Sequence, residues 1–334
     1  MSGTGSLSGR RIAIVGAGLA GLTAARQLAA DGCRVGVFEK SRGVGGRMAT
    51  RRRGEFHFDH GAQYFTVRDR RFRQMVDAWR SQGLVASWRG RIAVIPERPR
   101  DTRNSPPERM VALPGMSALG KAMSRGVRVR LNARVERVEL IPRGWRLKLA
   151  DGGVAGEFDA LVLALPAPQA AKLLDGAPQL RDAAASVRFN ACLAVMAGLQ
   201  QPCGVDFDAA FVNAGPLSWI CRNSSKPARA AHETWVLHAS ADWSGRNIAA
   251  APDAALAELW RAFEHIVGAP LEPEILTLHK WRYALAISPL DLGCLWDPER
   301  RIAACGDWCD GSRIEGAYLS GLETARQVRA ALIS

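Results

Sequence analysis

The sequence predicts an α/β fold, a parallel doubly wound sheet joined to a second, mixed-sheet α+β domain. Three observations carry this. A short apolar run, Ile12-Ala13-Ile14-Val15, leads directly into Gly16-x-Gly18-x-x-Gly21 and a helix-like repeat. A second strand, Arg34–Phe38, follows at the spacing of a strand–helix–strand unit and ends in an acid, Glu39. Residues 180–285 then change character, with longer strands broken by one helix.

The first of these has a chemical meaning. Gly16 permits the tight turn out of the strand. Gly18 has no side chain, so the backbone can approach a pyrophosphate. Gly21 lets the helix pack close to the strand. The phosphates then meet free N–H groups and the positive end of the helix dipole. The motif alone also fits a glycine-rich turn with no ligand. The context favours a Rossmann-like dinucleotide site: Leu19, Leu22 and Leu28 keep helical spacing, and Gly32 stands where a helix C-cap belongs. Glu39 fits hydrogen bonds to an adenosine ribose, and it repels a 2′-phosphate, which argues against NADP in this cleft.

The chain has 334 residues, a length that suggests about two domains. An apolar content of 48% and a mean hydropathy near zero predict a soluble globular protein. No apolar run approaches the roughly 20 residues that span a bilayer. Residues 1–10 are small and polar, without the apolar core of a secretory signal. The seven cysteines are odd in number and scattered, which predicts reduced thiols and a cytoplasmic setting. Cys305 and Cys309 lack a second pair, and His57, Asp59 and His60 lack metal-ligand spacing, so no metal site is expected. The net charge of +13 is mostly arginine, dense at 51–53, 68–73 and 98–109. No nucleic-acid-binding motif accompanies it, and a solvated basic surface is the simpler reading. Such a field also attracts anionic small molecules.

Further along, Gly45-Gly46-Arg47 follows the second strand, which is not expected of an ordinary nicotinamide dehydrogenase. It can set Arg47 beside a pyrophosphate and lead the chain under a flavin ring. A flexible basic loop is the plainer alternative. Residues 71–81 predict a helix, and 96–107 a Pro/Arg-rich loop. A helix of about ten residues is expected after Met116. Val127–Leu140 alternates as one strand, Trp145–Leu149 as another, and 158–165 reads as a buried strand ended by Pro166. In the second domain, strands are expected at 192–199, 217–222 and 234–238, and one helix at 253–267. Trp219, Trp235, His238, Trp243, Trp281 and Tyr283 are its candidate wall, although tryptophans more often pack than bind. Arg301–Asp307 predicts a returning strand, and the last helix opens near Glu315 and runs to about Leu332.

With these residues in view, the sequence resembles flavoprotein oxidoreductases of the amine-oxidase superfamily, and within it the bacterial renalase-like group. The matching stretches are 12–22 (IAIVGAGLAGL), 43–52 (GVGGRMATRR), 59–65 (DHGAQYF), 158–170 (FDALVLALPAPQA), 279–284 (HKWRYA) and 306–326 (GDWCDGSRIEGAYLSGLETAR). The resemblance implies a Rossmann-like FAD-binding domain of the amine-oxidase type. It implies FAD held without a covalent bond, despite Cys305 and Cys309. It implies that Gly16, Gly18, Ala20 and Gly21 line the ADP moiety, Glu39 the ribose and Arg47 the pyrophosphate, with Gly46 also at the cofactor. Val135 is implied to offer its backbone to the adenine, Gln63 and Tyr64 to approach the flavin, and Asp307 to bind the ribityl chain. Glu315, Gly316 and Ala317 are implied to lie at the pyrimidine side of the ring, where a helix N-terminus stabilises negative charge. No catalytic side chain is assigned; His238, Trp281 and Tyr283 are the substrate-side candidates.

The domain expectation is a leader at 1–10, an FAD-binding domain at 11–70, 110–175 and 290–334, and a substrate domain at 71–109 and 176–289. The activity the resemblance implies is oxidation of isomeric dihydronicotinamide dinucleotides, with a hydride to flavin N5 and electrons to O2. The expected partners are therefore a small dinucleotide and O2, with no nucleic acid and no membrane. An amine oxidase or desaturase on the same scaffold is the nearest competitor. A non-catalytic dinucleotide-binding protein is the competitor from a different class.

Overall fold

The computed structural model describes residues 7–96 and 107–333. Most of the leader, nearly all of the loop expected at 96–107 and much of the basic stretch 98–109 lie outside the described residues. The main sheet has six strands. Their order is Leu295–Asp297, Ile302–Ala304, Ala160–Leu163, Arg11–Val15, Arg34–Phe38 and Arg128–Arg130. All neighbours run parallel except the first pair. The central strand shows why the sheet is covered on both sides. Its side chains alternate between faces. Ile12 and Ile14 join the core under the first helix, Leu19–Ala30, and the last helix, Ile314–Ile333. Ala13 and Val15 join the opposite core, under a three-stranded antiparallel sheet and two short helices.

Two stretches that read as single strands are each divided in the structure. Val127–Leu140 is two strands, Arg128–Arg130 and Val135–Ile141, which belong to different sheets. Asn132 separates them with φ 52, a left-handed turn that asparagine tolerates and alternation does not reveal. The run at 158–165 is also divided. Val154–Phe158 closes the antiparallel sheet, and only Ala160–Leu163 enters the parallel one. The helix after Met116 is eight residues, Ser117–Ser124.

The second sheet also has six strands. Their order is Pro273–Ala286, Phe189–Leu199, Glu233–Ala239, Leu217–Arg222, Ala209–Val212 and Ile92–Ile95. It is antiparallel up to the last pair, which is parallel. Two helices cover one face, Ala241–Asn247 and Pro252–Val267, where one was expected. The first is short, with a Ser240 side-chain cap on the Trp243 amide. Strand alternation again decides the faces. Leu193, Val195, Ala197, Trp235 and Leu237 pack under the helices with Trp243. Trp235 and Trp243 are therefore core residues rather than cleft wall. The opposite face carries one row across the strands, His279–Ala194–His238–Trp219–Phe211, set by direct register pairing. That row is the roof over the first domain. The helix Arg70–Ser81 packs Phe72 and Trp79 against Tyr318 of the last helix.

Candidate active site

The nucleotide cleft is built from backbone. Gly16 takes φ +105°, and an added Cβ there would lie 2.4 Å from the Ala164 carbonyl oxygen. A Cβ on Gly21 would lie 2.2 Å from the Gly16 oxygen. These two glycines serve packing. At Gly18 an added Cβ meets nothing within 4 Å. Gly18 therefore keeps space open at the helix N-terminus, where a pyrophosphate belongs. Ala20 lies in the first turn, with its carbonyl against Gly321 of the last helix. Gly45 and Gly46, both at positive φ, bring the next loop over this turn: the Gly45 amide donates to the Ala17 carbonyl at 2.8 Å.

Glu39 is buried, and each of its carboxylate oxygens accepts one amide, from Ala17 at 2.9 Å and from Ser41 at 2.8 Å. One lone pair on each oxygen remains for ribose hydroxyls. Arg47 binds Asp307 through both terminal nitrogens, at 3.0 and 2.5 Å, and donates to the Ala284 carbonyl at 3.1 Å. This pair joins the loop after the second strand to the end of the strand Ile302–Ala304. Val135 is buried at the start of its strand, in one core with Phe38. These groups fit an extended dinucleotide.

The start of the last helix differs in detail from the expectation. Glu315 is buried and turned aside, where its Oε1 accepts the amides of Arg68 and Asp69, both at 2.7 Å. Gly316 packs on the Asp310 carbonyl, and Ala317 lies against the core. Cys305 and Cys309 are fully buried, and burial pushes both thiols up, Cys305 to about 12. Neither is a thiolate ready to attach a cofactor.

The segment Asp59–Phe65 lies between cleft and roof. An added Cβ on Gly61 would come 2.0 Å from the Arg47 carbonyl oxygen and 3.3 Å from the Trp281 ring. The His60 carbonyl accepts two roof donors, His238 Nε2 at 3.1 Å and Trp281 Nε1 at 3.0 Å. A carbonyl only accepts, so His238 carries its proton on Nε2. The His60 ring stacks on Trp281, with centroids 5.1 Å apart, and meets His279 edge-on at 4.8 Å. Burial pushes His60 down to about 3, helped by His279 and Arg51. Burial likewise lowers His238 and His279 to about 4. All three rings are neutral at pH 7. His238 and Trp281 thus meet at one point. Tyr283, two residues along the same strand, packs against Phe189 instead.

Beside them is a buried charge group that sequence reasoning missed. Asp59 is fully buried. It accepts from Thr50 at 2.6 Å, from the Met116 amide at 2.9 Å, and from Arg229 at 2.7 and 3.1 Å. Lys226, also buried, lies 3.7 Å away and donates to Asn223 at 2.9 Å and Gln63 at 3.0 Å. Burial alone would raise the Asp59 carboxyl; Lys226 and Arg229 outweigh it and hold it below the usual range. Gln63 also donates to the Asp59 carbonyl, which fixes the amide next to Tyr64. The signal available was the polar stretch Asn223-Ser-Ser-Lys226-Pro-Ala-Arg229 directly after an apolar strand. Among the described residues, no group of three or more His, Cys, Asp or Glu is arranged to hold a metal.

Comparison with known proteins agrees with this geometry. The model of a flavin-containing amine oxidoreductase matches residues 92–329, and that of an NAD(P)-binding Rossmann-like domain matches 14–79. The chain belongs to the flavin-containing amine oxidoreductase family. Its cofactor is FAD, and the chain is an FAD-dependent oxidoreductase. Putrescine oxidase bound to putrescine has the same fold, with a TM-score of 0.76 at 15% identity over 96% of this chain and 99% of that one. An oxidoreductase from Methanosarcina mazei superposes with a TM-score of 0.68 at 13% identity, covering 95% of this chain and 100% of that one. A 4,4'-diapophytoene desaturase of Staphylococcus haemolyticus is 50% identical over 58 residues, which is 17% of this chain and only 12% of the desaturase. No helix among the described residues is long and apolar enough to cross a membrane.

Proposed function

We propose that this family member is a renalase-like oxidase of isomeric dihydronicotinamide dinucleotides. The substrate, a 2- or 6-dihydro isomer of NAD(P), loses a hydride and leaves as NAD(P)+. FAD, held without a covalent bond, supplies the two-electron acceptor, and O2 takes the pair with protons as hydrogen peroxide. The chain's own residues have two tasks: they position the ring, and they keep the site dry. The neutral histidines suit this reaction, since hydride transfer from a dihydropyridine requires no protein base.

The observation that carries the reading is the charge beside Gln63. Lys226 and Arg229 face one buried carboxylate, Asp59, which leaves an excess of positive charge next to Tyr64. That excess attracts an anionic dinucleotide and opposes a protonated amine. A second reading, oxidation of an amine or desaturation of a polyene, draws on the family match and on the segment shared with the desaturase. The unpaired state of all seven cysteines fits work in the cytoplasm.

The test is an anaerobic titration of the FAD-loaded protein, followed by flavin absorbance. Chemically reduced NAD+, a mixture of dihydro isomers, is expected to bleach the flavin rapidly, while pure β-NADH is not. Air then restores the colour with one peroxide per isomer consumed. A flavin that no isomer bleaches, but that putrescine or another amine does, transfers the assignment to the second reading.

A further inference from the structure

We propose that Trp88, Trp219 and Arg109 form an oxyanion subsite beside Tyr64, built for a carboxylate or phosphate carried on a planar ring. The proposal locates the anionic end of the substrate proposed above. It rests on that reading only for the phosphate as source.

The residues come from both halves of the molecule. Trp88 and Arg109 are direct partners in the antiparallel pair Val85–Trp88 and Arg109–Ala112, so their side chains share one face. Trp219 stands in the roof row next to His238. All three close on one ring. Tyr64 has Trp88 at 6.1 Å and Trp219 at 5.7 Å between centroids, and the Arg109 guanidinium 5.3 Å over its face.

Each has one buried nitrogen without a partner among the described residues. Trp88 is 4% exposed and Trp219 7%, and neither indole N–H has a partner among the described residues. The buried Arg109 Nε is in the same position. A buried indole N–H ordinarily finds an acceptor. All three unmet groups are donors, so the complementary ligand is an acceptor without protons of its own, a carboxylate or a phosphate. The charge agrees. Lys226 lies 5.8 Å over the Trp88 ring, and Asp59 is shared between Lys226 and Arg229. The faces of Tyr64 and Trp219 suit a flat ring attached to that anion. The Trp88 indole is seated on Gly90, where an added Cβ would fall 2.6 Å from the ring.

Calorimetry on the FAD-loaded chain tests this with ligands that do not react. One pair is oxidised nicotinamide mononucleotide against nicotinamide riboside, which lacks the phosphate. The other is benzoate against benzamide. In at least one pair the anion is expected to bind about tenfold tighter or more, equal to ~1.4 kcal/mol. Arg109→Gln and Trp219→Phe are expected to abolish most of that preference, with flavin content and melting temperature retained. Arg109→Lys decides if Arg109→Gln does not load FAD, because it keeps the charge and loses the Nε donor. A preference in the phosphate pair assigns the subsite to a nucleotide. A preference in the benzoate pair alone keeps the subsite and overturns the dinucleotide as its occupant. Equal affinities in both pairs, or a preference that survives in Trp219→Phe and the arginine variant, overturn the proposal.

Discussion

The cofactor cleft and the roof above it are built by opposite means. The cleft is made of backbone and glycines from short, contiguous segments, 16–21 and 45–47, with one carboxylate, Glu39, fixed by two amides. The roof is made of side chains from distant strands, joined by a few polar contacts to the segment 59–65. Backbone packing tolerates little change where an added Cβ would meet a carbonyl, as at Gly16 and Gly21. A side-chain network shares its burden. The junction between them, Asp59 with Lys226 and Arg229, is where a single change has the largest effect.

Asp59→Asn removes the only carboxylate that Lys226 and Arg229 share among the described residues. Two buried cations then lack a counter-charge. The expected loss is about 3–5 kcal/mol of stability, the cost of breaking a buried ion pair from one side. Urea unfolding at pH 7 measures it. A loss under 1 kcal/mol would mean that the junction is hydrated and that cleft and roof are less tightly joined than the contacts of Asp59 imply.

The glycines sharpen the comparison within the cleft itself. Gly16→Ala places a Cβ against the Ala164 carbonyl at a positive φ, and it is expected to cost about 1–3 kcal/mol of stability. Gly18→Ala meets open space and is expected to leave stability within about 0.5 kcal/mol. It would nevertheless take up the open space that a pyrophosphate is proposed to fill, and FAD affinity is expected to fall about tenfold, or ~1.4 kcal/mol. Melting temperature of the FAD-free chain separates the first effect from the second, and flavin titration measures the second. Equal behaviour of the two variants would refute the division of labour between them.

This contrast also explains what the sequence disclosed. Gly16, Gly18, Gly21 and Glu39 lie within one strand–helix–strand unit, so local spacing was enough to find them. His238 and Trp281 were found as aromatic candidates, yet their shared acceptor, the His60 carbonyl, depends on pairing between strands far apart in the chain. Trp235 and Trp219 look alike in sequence. One packs under helices and the other faces the cleft, because a strand shows opposite faces at alternate positions and only the register says which. Lys226 lies in a polar stretch that reads as a surface loop, and its burial follows from its pairing with Asp59, far upstream in the chain. Glu315 stands at a helix start, as its sequence context predicts, but its side chain serves the amides of Arg68 and Asp69, an attachment that no local pattern encodes.

The roof histidines predict a pH dependence. In the folded chain His60 titrates at about 3, and His238 and His279 at about 4. Unfolded, each titrates near 6.5. Below about pH 6.5 the unfolded chain therefore binds more protons, and stability falls as pH is lowered towards 4. Each histidine contributes up to about 1.4 kcal/mol per pH unit in that window, less for His279, which is only partly buried. Above pH 7 these groups add no slope. Urea unfolding from pH 5 to 8 checks the sign. His238→Phe is expected to reduce the slope by about one proton; an unchanged slope would remove His238 from the buried, neutral set.

The smallest effect belongs to the two donors on the His60 carbonyl. Trp281→Phe keeps the ring over His60 and deletes one donor to the His60 carbonyl, which retains His238. The expected cost is about 0.5–1.5 kcal/mol, a single net hydrogen bond. His238→Phe leaves Trp281 as the remaining donor. With both removed, the carbonyl is buried and unpaired, and the penalty for an unmet acceptor appears only then. The double variant is therefore expected to lose more than the sum of the single losses, by at least about 0.5 kcal/mol. A double-mutant cycle on unfolding free energy reads this directly. Additive losses would show that the two donors act independently, and the roof would then resemble the cleft, with each contact required on its own.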